Sequence, residues 1–189
     1  MTKTLCSVLA TLAAIPCTVL AQTPAATPAN PLTASEKGFY TLVTGEVIAA
    51  AEKMPEENYS FKPTPDVRSF GQLVGHVADS QTFFCATAAG ETPTRKDIEK
   101  TKTSKADLIS ALKDASAGCN KTFDAMTDAQ GSQMVKLMNF NLAKLTVLSV
   151  NTAHTDEHYG NMVTYLRLKG IVPPSSEKRP APEQKTGKE

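Results

Sequence analysis

All three histidines of the chain lie in segments with a helical pattern. His154 and His158 are four residues apart, so a helix places their side chains on one face, about 5–6 Å apart at Cβ. Two imidazoles on adjacent turns can bind one metal ion, and His76, which interrupts an apolar stripe, needs a partner for its ring nitrogens. The sequence therefore predicts one site in which His76, His154 and His158 bind a divalent transition metal ion.

The ligand set indicates what chemistry such a site would carry. Three neutral imidazoles with an open coordination position are typical of catalytic rather than structural zinc sites. Imidazole ligation favours zinc or nickel, with iron and manganese as further candidates, over calcium and magnesium. The alternative is that the histidines are ordinary hydrogen-bonded side chains, because pairs at this spacing also occur by chance.

Several other side chains share the helical faces of the histidines, at about 100° per residue. Asn161 and Tyr165 follow on the face of His154 and His158, where they can orient an imidazole or a bound water. Ordinary polar residues at the end of a bundle would give the same pattern. The residues on the face of His76 are Gln72, Ser80 and Phe83.

Two carboxylates, Asp79 and Glu157, flank these faces. Either of them can act as a general base beside the metal or as a fourth ligand. Carboxylates on helices are also commonly exposed to solvent, which is the alternative interpretation of both residues.

The segment from His154 to His158 also reads H-x-x-E-H, the signature of inverted zinc proteases. In that hypothesis Glu157 would activate water for peptide hydrolysis, and a further ligand would follow downstream. Acidic residues do follow, but all of them lie in a predicted tail, and His76 would have no role. The three-histidine site is therefore the favoured hypothesis.

Four segments with apolar residues at three- and four-residue steps predict four helices, and hence an all-α four-helix bundle with long crossover connections. No segment has convincing strand alternation, and Met134–Asn141 is ambiguous between an extended and an irregular conformation. The predicted helix starts, each with its capping-box partner, are Thr33 with Glu36, Ser69 with Gln72, and Ser104 with Asp107. The predicted apolar face of the first helix is Phe39, Leu42, Val43, Val47 and Ala50. The second helix ends at Gly90, and the fourth runs from about Leu142 to Lys169, before Gly170.

The two ends of the chain differ in composition from its middle. The first residues combine Lys3, an apolar stretch and a small-residue cleavage pattern that ends at Ala21, which predicts a secretory signal peptide. A lipoprotein anchored at Cys17 is the alternative, and Pro16 in front of that cysteine disfavours it. The predicted domains are a signal peptide at 1–21, a Pro/Ala/Thr-rich spacer at 22–32, the bundle at 33–172 and a disordered tail at 173–189.

The charge balance argues against two classes of partner. Without Lys3, the 20 Lys and Arg residues of the chain become 19, against 19 Asp and Glu, and no basic run stands out. Nucleic acids and anionic membranes bind clustered positive charge, so neither is expected as a partner of the mature chain. A small-molecule substrate or ligand is expected instead, and a homodimer is compatible with a helical bundle.

Export changes the interpretation of the cysteines. Cys6 and Cys17 leave with the signal peptide, so Cys85 and Cys119 form the pair of the mature chain. An oxidising location, secreted or periplasmic, favours a disulfide between them. Two buried free thiols or a redox pair are the alternatives, although no Cys-x-x-Cys spacing supports the redox pair.

Two parts of the sequence resemble a known superfamily. Residues 59–79, which include YSFKPTPDVRSFGQLVGH, resemble the first metal-ligand region of DinB-like proteins, and residues 154–176, which begin HTDEHYGNMVTYLRLKG, resemble their C-terminal metal helix. The resemblance spans residues 33–176. It implies an up-down-down-up four-helix bundle with one histidine ligand from the second helix and two from the fourth, which are His76, His154 and His158 here.

The resemblance implies several activities rather than one. DinB-like relatives include metal-dependent hydrolases, as well as transferases and isomerases that use low-molecular-weight thiols. An exported protein would be separated from cytosolic thiols, so the expected function is metal-dependent hydrolysis, with thiol transfer second. A bundle that binds metal or a small ligand without catalysis, or uses the metal only as a structural link, is the third alternative. The superfamily name does not imply DNA binding.

Overall fold

The computed structural model describes residues 28–94 and 96–177 of the chain, and they form the predicted all-α bundle. The predicted signal peptide, residues 22–27 of the predicted spacer and residues 178–189 of the predicted tail lie outside the described residues. The helices are α1 (Pro31–Lys53), α2 (Phe70–Ala89), α3 (Ile98–Thr101), α4 (Lys105–Ala125), α5 (Asp128–Gly131) and α6 (Lys144–Leu168). The strands β1 (Met134–Leu137) and β2 (Phe140–Ala143) lie between α5 and α6.

The four long helices, α1, α2, α4 and α6, run up, down, down and up. Tyr40, in the first half of α1, donates a hydrogen bond to Gln81 in the second half of α2 (3.2 Å) and packs against Phe123 at the end of α4 (4.9 Å between ring centroids). The first half of α6 lies beside the start of α1, where the Thr152 hydroxyl donates to the Glu36 carboxylate (2.7 Å). Because α2 and α4 run in the same direction, the chain between them must return along the bundle.

The interior contains two hydrophobic clusters, one towards each end of the bundle. Side chains with less than 5% exposure dominate both of them. His154 and His158 lie between the two clusters along α6, whereas His76 lies in the part of α2 that contributes to the first cluster. The first cluster includes Val47, Phe70, Leu112, Met162 and Leu166. The second includes Tyr40, Phe84, Phe123, Val147 and Leu148.

The predicted start of α1 is wrong, because the helix begins at Pro31 rather than near Thr33. The first backbone N–H groups of α1 are satisfied from α5, where the Asp128 carboxylate accepts from Leu32 N (3.1 Å) and Thr33 N (2.9 Å). Asn30 in turn accepts from Asp128 N (3.0 Å) through its side chain. Two segments that are distant in the sequence thus exchange hydrogen bonds in place of a local capping box, and we call these contacts the Asn30–Asp128 clasp. The first residues of the helix belong to the predicted spacer.

The predicted apolar face of α1 is partly wrong. Val43, Val47 and Ala50 are buried, as expected, but Phe39 is 51% exposed and Leu42 is 53% exposed. The buried face is instead completed by Tyr40, Thr44 and Ala51. The predicted face is displaced around the helix, because Tyr40 and Thr44 occupy core-facing positions while Phe39 and Leu42 point away from the core.

The predicted starts of the second and third long helices are confirmed. Ser69 accepts from Gln72 N (3.2 Å), and the Gln72 side chain accepts from Ser69 N (2.9 Å), which completes a capping box. Ser104 likewise accepts from Asp107 N (3.1 Å). At the other end of α2, Gly90 adopts the left-handed conformation (φ 85°) that ends many helices.

The segment after α5, which the sequence left open between an extended and an irregular conformation, forms an antiparallel hairpin. β1 and β2 pair from Met134 with Ala143 to Leu137 with Phe140. The turn between them lacks the Asn-Gly or Asp-Gly sequence that normally identifies a tight hairpin, which left the segment without a clear sequence signal.

The first residues of the predicted tail pack against the bundle instead of being disordered. Residues Pro174–Ser176 form a 3-10 turn, and Ser175 N donates to the Tyr159 hydroxyl on α6 (2.9 Å). Pro173 is buried. The bundle therefore extends a few residues beyond its predicted end.

Cys85 on α2 and Cys119 on α4 form a disulfide, with 5.2 Å between their Cα atoms. Both side chains are almost fully buried, and the Asn151 amide of α6 lies 3.7 Å from each sulfur. The disulfide interpretation of the cysteine pair is confirmed. Among the described helices, none combines the length and the apolar character that crossing a membrane would require.

Candidate metal centre

The three histidines converge at the level where α2 and α6 pack together. His154 and His158 lie on adjacent turns of α6, with 3.2 Å between their Nε2 atoms. His76 faces them from α2, and its Nε2 lies 3.3 Å from Nε2 of His154. His158 is buried, and the other two are partly buried. The ring nitrogens of all three histidines thus meet at one point, as the sequence predicted.

The connection between α2 and α4 passes close to His76. A Cβ atom on Gly75 would lie only 2.7 Å from Cα of Glu99, so glycine lets α3 approach the surface of α2 directly. Asp79, one turn after Gly75, accepts from Ile98 N and Glu99 N (3.0 Å each) and fixes the first turn of α3. Both features hold Glu99 beside the histidine cluster.

Glu99 is the one carboxylate that contacts a histidine of the cluster among the described residues. Its Oε2 lies 3.1 Å from Nδ1 of His76, and its Oε1 accepts from Nε of Arg68 (2.9 Å). A carboxylate can only accept, so Nδ1 of His76 carries the hydrogen and Nε2 presents its lone pair to the cluster. The sequence did not single out Glu99 as a site residue, because nothing in it distinguishes Glu99 from Glu91 and Asp97 in the same connection.

The other two histidines have different surroundings at Nδ1. Asn161, one turn after His158, has its amide 3.3 Å from Nδ1 of that histidine, as predicted from the helical face. A half-turn of this amide makes its oxygen the acceptor of an Nδ1 hydrogen. Nδ1 of His154 is buried and has no hydrogen-bond partner within the described part of the chain.

Burial favours the neutral form of each imidazole. It is the main cause that lowers the pKa of His76 and of His154, and the neighbouring His76 charge lowers the pKa of His154 further. The pKa of His158 falls to about 4, because of burial first and of the His154 and His76 charges second. At neutral pH all three side chains are therefore neutral and available as ligands.

This donor set fits a transition metal ion. With metal–nitrogen bonds of about 2.0–2.1 Å, the nitrogens of a tetrahedral site lie about 3.3 Å apart, close to the 3.2 and 3.3 Å found for the two Nε2 pairs. Three lone pairs directed at one point repel one another unless a cation lies between them. Three imidazoles are the ligand type that suits zinc, nickel or iron.

The remaining predicted site residues lie at different distances from this cluster. Asp79 contacts backbone of α3 with both carboxylate oxygens, and the Tyr165 hydroxyl donates to the backbone oxygen of Arg68 (2.6 Å) rather than to an imidazole. Glu157 is exposed and stays outside the group of converging ligand atoms. Because that group includes His76, the structure agrees with the three-histidine hypothesis better than with the inverted zinc-protease motif.

Histidines of the cluster line two clefts, His76 and His154 the first and His158 the second. The Met138 cleft is lined by His76, Ser80, Phe83, Phe84, Met138 and His154, and also by Asp79, Asp97, Glu99 and Lys100. The Arg68 cleft is lined by Lys62, Asp66, Arg68, Gln72, Glu157, His158, Asn161 and Tyr165, together with neighbouring residues. Ser80 and Phe83, predicted on the face of His76, thus belong to the first cleft, and Gln72 belongs to the second.

Comparisons with known proteins agree with this architecture. Residues 40–162 match the family model described as the DinB superfamily. Crystal structures of two DinB-like proteins are similar to this chain. The one from Bacillus subtilis has a TM-score of 0.65 at 22% identity, covering 77% of this chain and 99% of its own. The one from Bacillus cereus has a TM-score of 0.66 at 14% identity, covering 75% and 95%.

No curated protein matches the sequence significantly. The two crystal structures, at these identities, establish the fold. The family match covers more than half of the chain and includes all three converging histidines. The chain belongs to the DinB superfamily.

Proposed function

We propose that this protein is an exported metal-dependent hydrolase in which His76, His154 and His158 hold one divalent transition metal ion. Zinc or nickel is the favoured ion, followed by iron and manganese. The observation that carries the proposal is the convergence of the three histidine ring nitrogens, 3.2 and 3.3 Å apart in two pairs, on side chains that line two open clefts. An open side distinguishes a catalytic site from a closed structural one.

The protein's own contribution begins with the orientation of the ligands. Glu99 holds the hydrogen of His76 on Nδ1, which fixes the ring and makes Nε2 more basic. Asn161 can do the same for His158. When bound, a divalent metal ion supplies a Lewis acid that polarises a substrate oxygen and makes water more acidic.

The proton acceptor is the second part of the proposal. Asp79 is engaged by two backbone N–H groups of α3, so its carboxylate is already committed. Glu157 is exposed and lines the Arg68 cleft together with His158. We therefore assign Glu157 as the candidate general base, for a water that enters through that cleft.

The size of the site limits the substrate to a small molecule. The Met138 cleft encloses about 310 Å³, which is in the range of small-ligand pockets, roughly 300–1,000 Å³. The cleft therefore suits a small molecule, and the proposed hydrolysis requires that this molecule carry an ester or amide. The disulfide between Cys85 and Cys119 supports export, because such bonds persist in oxidising compartments.

Elemental analysis of the purified mature chain, residues 22–189, tests the metal site directly. After reconstitution with zinc, nickel, iron or manganese, the wild type should hold one ion per chain, and the His154→Ala/His158→Ala variant should hold none. Circular dichroism of both proteins checks that the variant keeps its helices. Absence of bound metal in the wild type after all four reconstitutions would contradict the proposal.

A second experiment separates hydrolysis from the alternatives. The metal-loaded wild type is given chromogenic esters and amides, and separately a low-molecular-weight thiol with an electrophilic acceptor. Hydrolysis that disappears on chelation and in Glu157→Gln supports the proposal. Thiol transfer alone would favour a transferase, and loss of folding on chelation without any turnover would favour a purely structural metal.

A further inference from the structure

Two residues other than glycine adopt a left-handed backbone conformation in the described part of the chain. They are Asp97 (φ 48°), just before α3, and Met138 (φ 53°), at the tip of the hairpin. Both line the Met138 cleft beside His76 and His154. Such conformations are unfavourable for side chains with a Cβ atom, and they concentrate at functional sites.

Met138 is the more unusual of the two. It occupies the first position of the two-residue turn between Leu137 and Phe140, and it alone in that turn has a positive φ, an arrangement in which glycine is the preferred residue. Leu137 is only 6% exposed and anchors the hairpin in the core, whereas Met138 is 63% exposed. A large apolar side chain is thus held, at a conformational cost, at the rim of the cleft rather than in the core.

The wall beside Met138 is also apolar. Phe84 packs against the His154 ring with 5.6 Å between centroids, and Phe83 packs against Phe84 with 5.5 Å between centroids. Phe83 is only partly buried, so part of its ring faces the cleft. The lining of the cleft therefore combines imidazole rings with aromatic and thioether side chains.

The charged residues that line the Met138 cleft already have partners, so few charges remain to bind a ligand. Asp79 is occupied by the backbone of α3, and Glu99 by His76 and Arg68. Asp97 and Lys100 are exposed and lie 3.4 Å apart as an ion pair. The Arg68 cleft has a different character, because its lining includes Lys62, Asp66, Arg68 and Glu157.

We infer that the Met138 cleft is the substrate pocket and that it takes a small ligand with two parts. An oxygen or sulfur donor group lies on the histidine centre, and an aromatic or branched apolar group lies between Phe83 and Met138. Met138 is then a specificity-determining residue, and the Arg68 cleft is left for water. This inference rests on the proposed function in one respect, the metal ion on the three histidines.

Hydroxamates provide the test, because they bind metal through their oxygens and can carry different substituents. Isothermal titration calorimetry of the metal-loaded mature chain compares benzohydroxamic acid with acetohydroxamic acid. We expect the wild type to bind the phenyl compound at least about tenfold more tightly, as burial of several carbons in an apolar pocket implies. Met138→Gly should remove most of that preference and leave acetohydroxamate binding and metal content unchanged.

Two variants serve as matched controls. Met134 lies on the same hairpin, is equally exposed (63%) and does not line the cleft, so Met134→Ala should bind both compounds like the wild type. Val67 lines the Arg68 cleft, so Val67→Ala should also have no effect. Loss of the phenyl preference in Val67→Ala instead of Met138→Gly would place the ligand in the other cleft and overturn the inference.

The outcomes separate this inference from the proposed function. Equal binding of both hydroxamates by a metal-loaded wild type would overturn the pocket assignment and leave the metal site standing. A Met134→Ala effect as large as that of Met138→Gly would also overturn it, since the hairpin would then act through its fold alone. A chain that takes up no metal would overturn both proposals together.

Discussion

The interior of the bundle is interrupted at two places by groups that link α2 to another helix, and the two places differ in kind. The disulfide from Cys85 joins α2 to α4, and its sulfurs are almost fully buried. One histidine of α2 meets two of α6, and all three line open clefts. The disulfide is a covalent bond in the closed interior of the bundle. The histidine cluster is instead reached by clefts, and its nitrogen lone pairs need a cation.

This difference shows how the fold separates stability from reactivity. A disulfide constrains the unfolded chain whether or not a ligand is present. Converging imidazoles instead destabilise the fold until a cation binds them, and acceptors outside the cluster, above all the Glu99 carboxylate, must hold their rings in place. We therefore expect that changes at the disulfide alter stability and leave metal binding unchanged, and that changes at the polar side chains hydrogen-bonded to the histidines weaken metal binding with little effect on stability.

Removal of the disulfide should give the largest effect. Cys85 and Cys119 are 34 residues apart, and closing a loop of that length lowers the entropy of the unfolded chain by the equivalent of about 3–4 kcal/mol. Urea unfolding of the metal-free Cys85→Ala/Cys119→Ala variant should show a loss of this size against the oxidised wild type. Its metal content should be unchanged, and a simultaneous loss of metal would show that the two links are not independent.

The effect of Gly75→Ala should be the next largest, and it should change both stability and metal affinity. The new Cβ would lie 2.7 Å from Cα of Glu99, so α3 must move away from α2. We expect a loss of stability of about 1–3 kcal/mol from this overpacking, together with weaker metal binding because Glu99 moves with α3. Urea unfolding and a metal-competition titration measure the two effects.

The matched control for that variant is Gly45→Ala. Gly45 lies inside α1, and a Cβ there meets nothing within 4 Å, so alanine should stabilise the helix by about 0.5–1 kcal/mol. Its metal affinity should equal that of the wild type. If Gly75→Ala behaves like Gly45→Ala, then the close approach of α3 does not position Glu99.

Glu99→Gln tests the support of the histidines with little disturbance of the fold. The neutral amide can still accept from Nδ1 of His76, but it no longer strengthens the basicity of the ring or pairs with Arg68. We expect metal affinity to fall about 10–100-fold, with near-normal stability of the metal-free protein. Glu57→Gln, at an exposed position remote from the cluster in sequence, should change neither quantity, and an unchanged affinity in Glu99→Gln would contradict the assignment.

The smallest effects should distinguish Asn161 from Tyr165, which the sequence placed on one face. Asn161→Ala should weaken metal binding several-fold, since its amide lies at Nδ1 of His158. Tyr165→Phe removes a hydrogen bond to the backbone of Arg68 and should cost about 0.5–1.5 kcal/mol of stability, with no change in metal affinity. Metal-competition titrations and urea unfolding of both variants measure metal affinity and stability. A loss of metal affinity in Tyr165→Phe but not in Asn161→Ala would contradict the assignment.

The parts of the fold and site that depend on local spacing were predictable. The separation of His154 and His158, and the serine caps at Ser69 and Ser104, are consequences of helix geometry over three or four residues. The apolar stripe around His76 indicated that it faces the interior. Each of these signals needs only the residues of one helix.

The parts that depend on distant contacts were not predictable in the same way. Glu99 is a candidate only once α3 is known to lie on Gly75, and nothing in the neighbourhood of Glu99 in the sequence indicates that contact. Met138 occupies a turn position that normally belongs to glycine, so the local pattern argues against the turn that forms. The face of α1 was misjudged at Phe39 because burial is decided by the helices packed around it.

The clasp between Asn30 and Asp128 has a consequence for biosynthesis. The first turn of α1 has no side-chain cap of its own, and its N–H groups at Leu32 and Thr33 are satisfied by a carboxylate 96 and 95 positions further along the chain. A ribosome that synthesises the chain from its N-terminus therefore releases α1 long before it makes Asp128. Until that residue emerges, α1 remains frayed at its start, so the first helix of the described residues to be made is among the last to be completed.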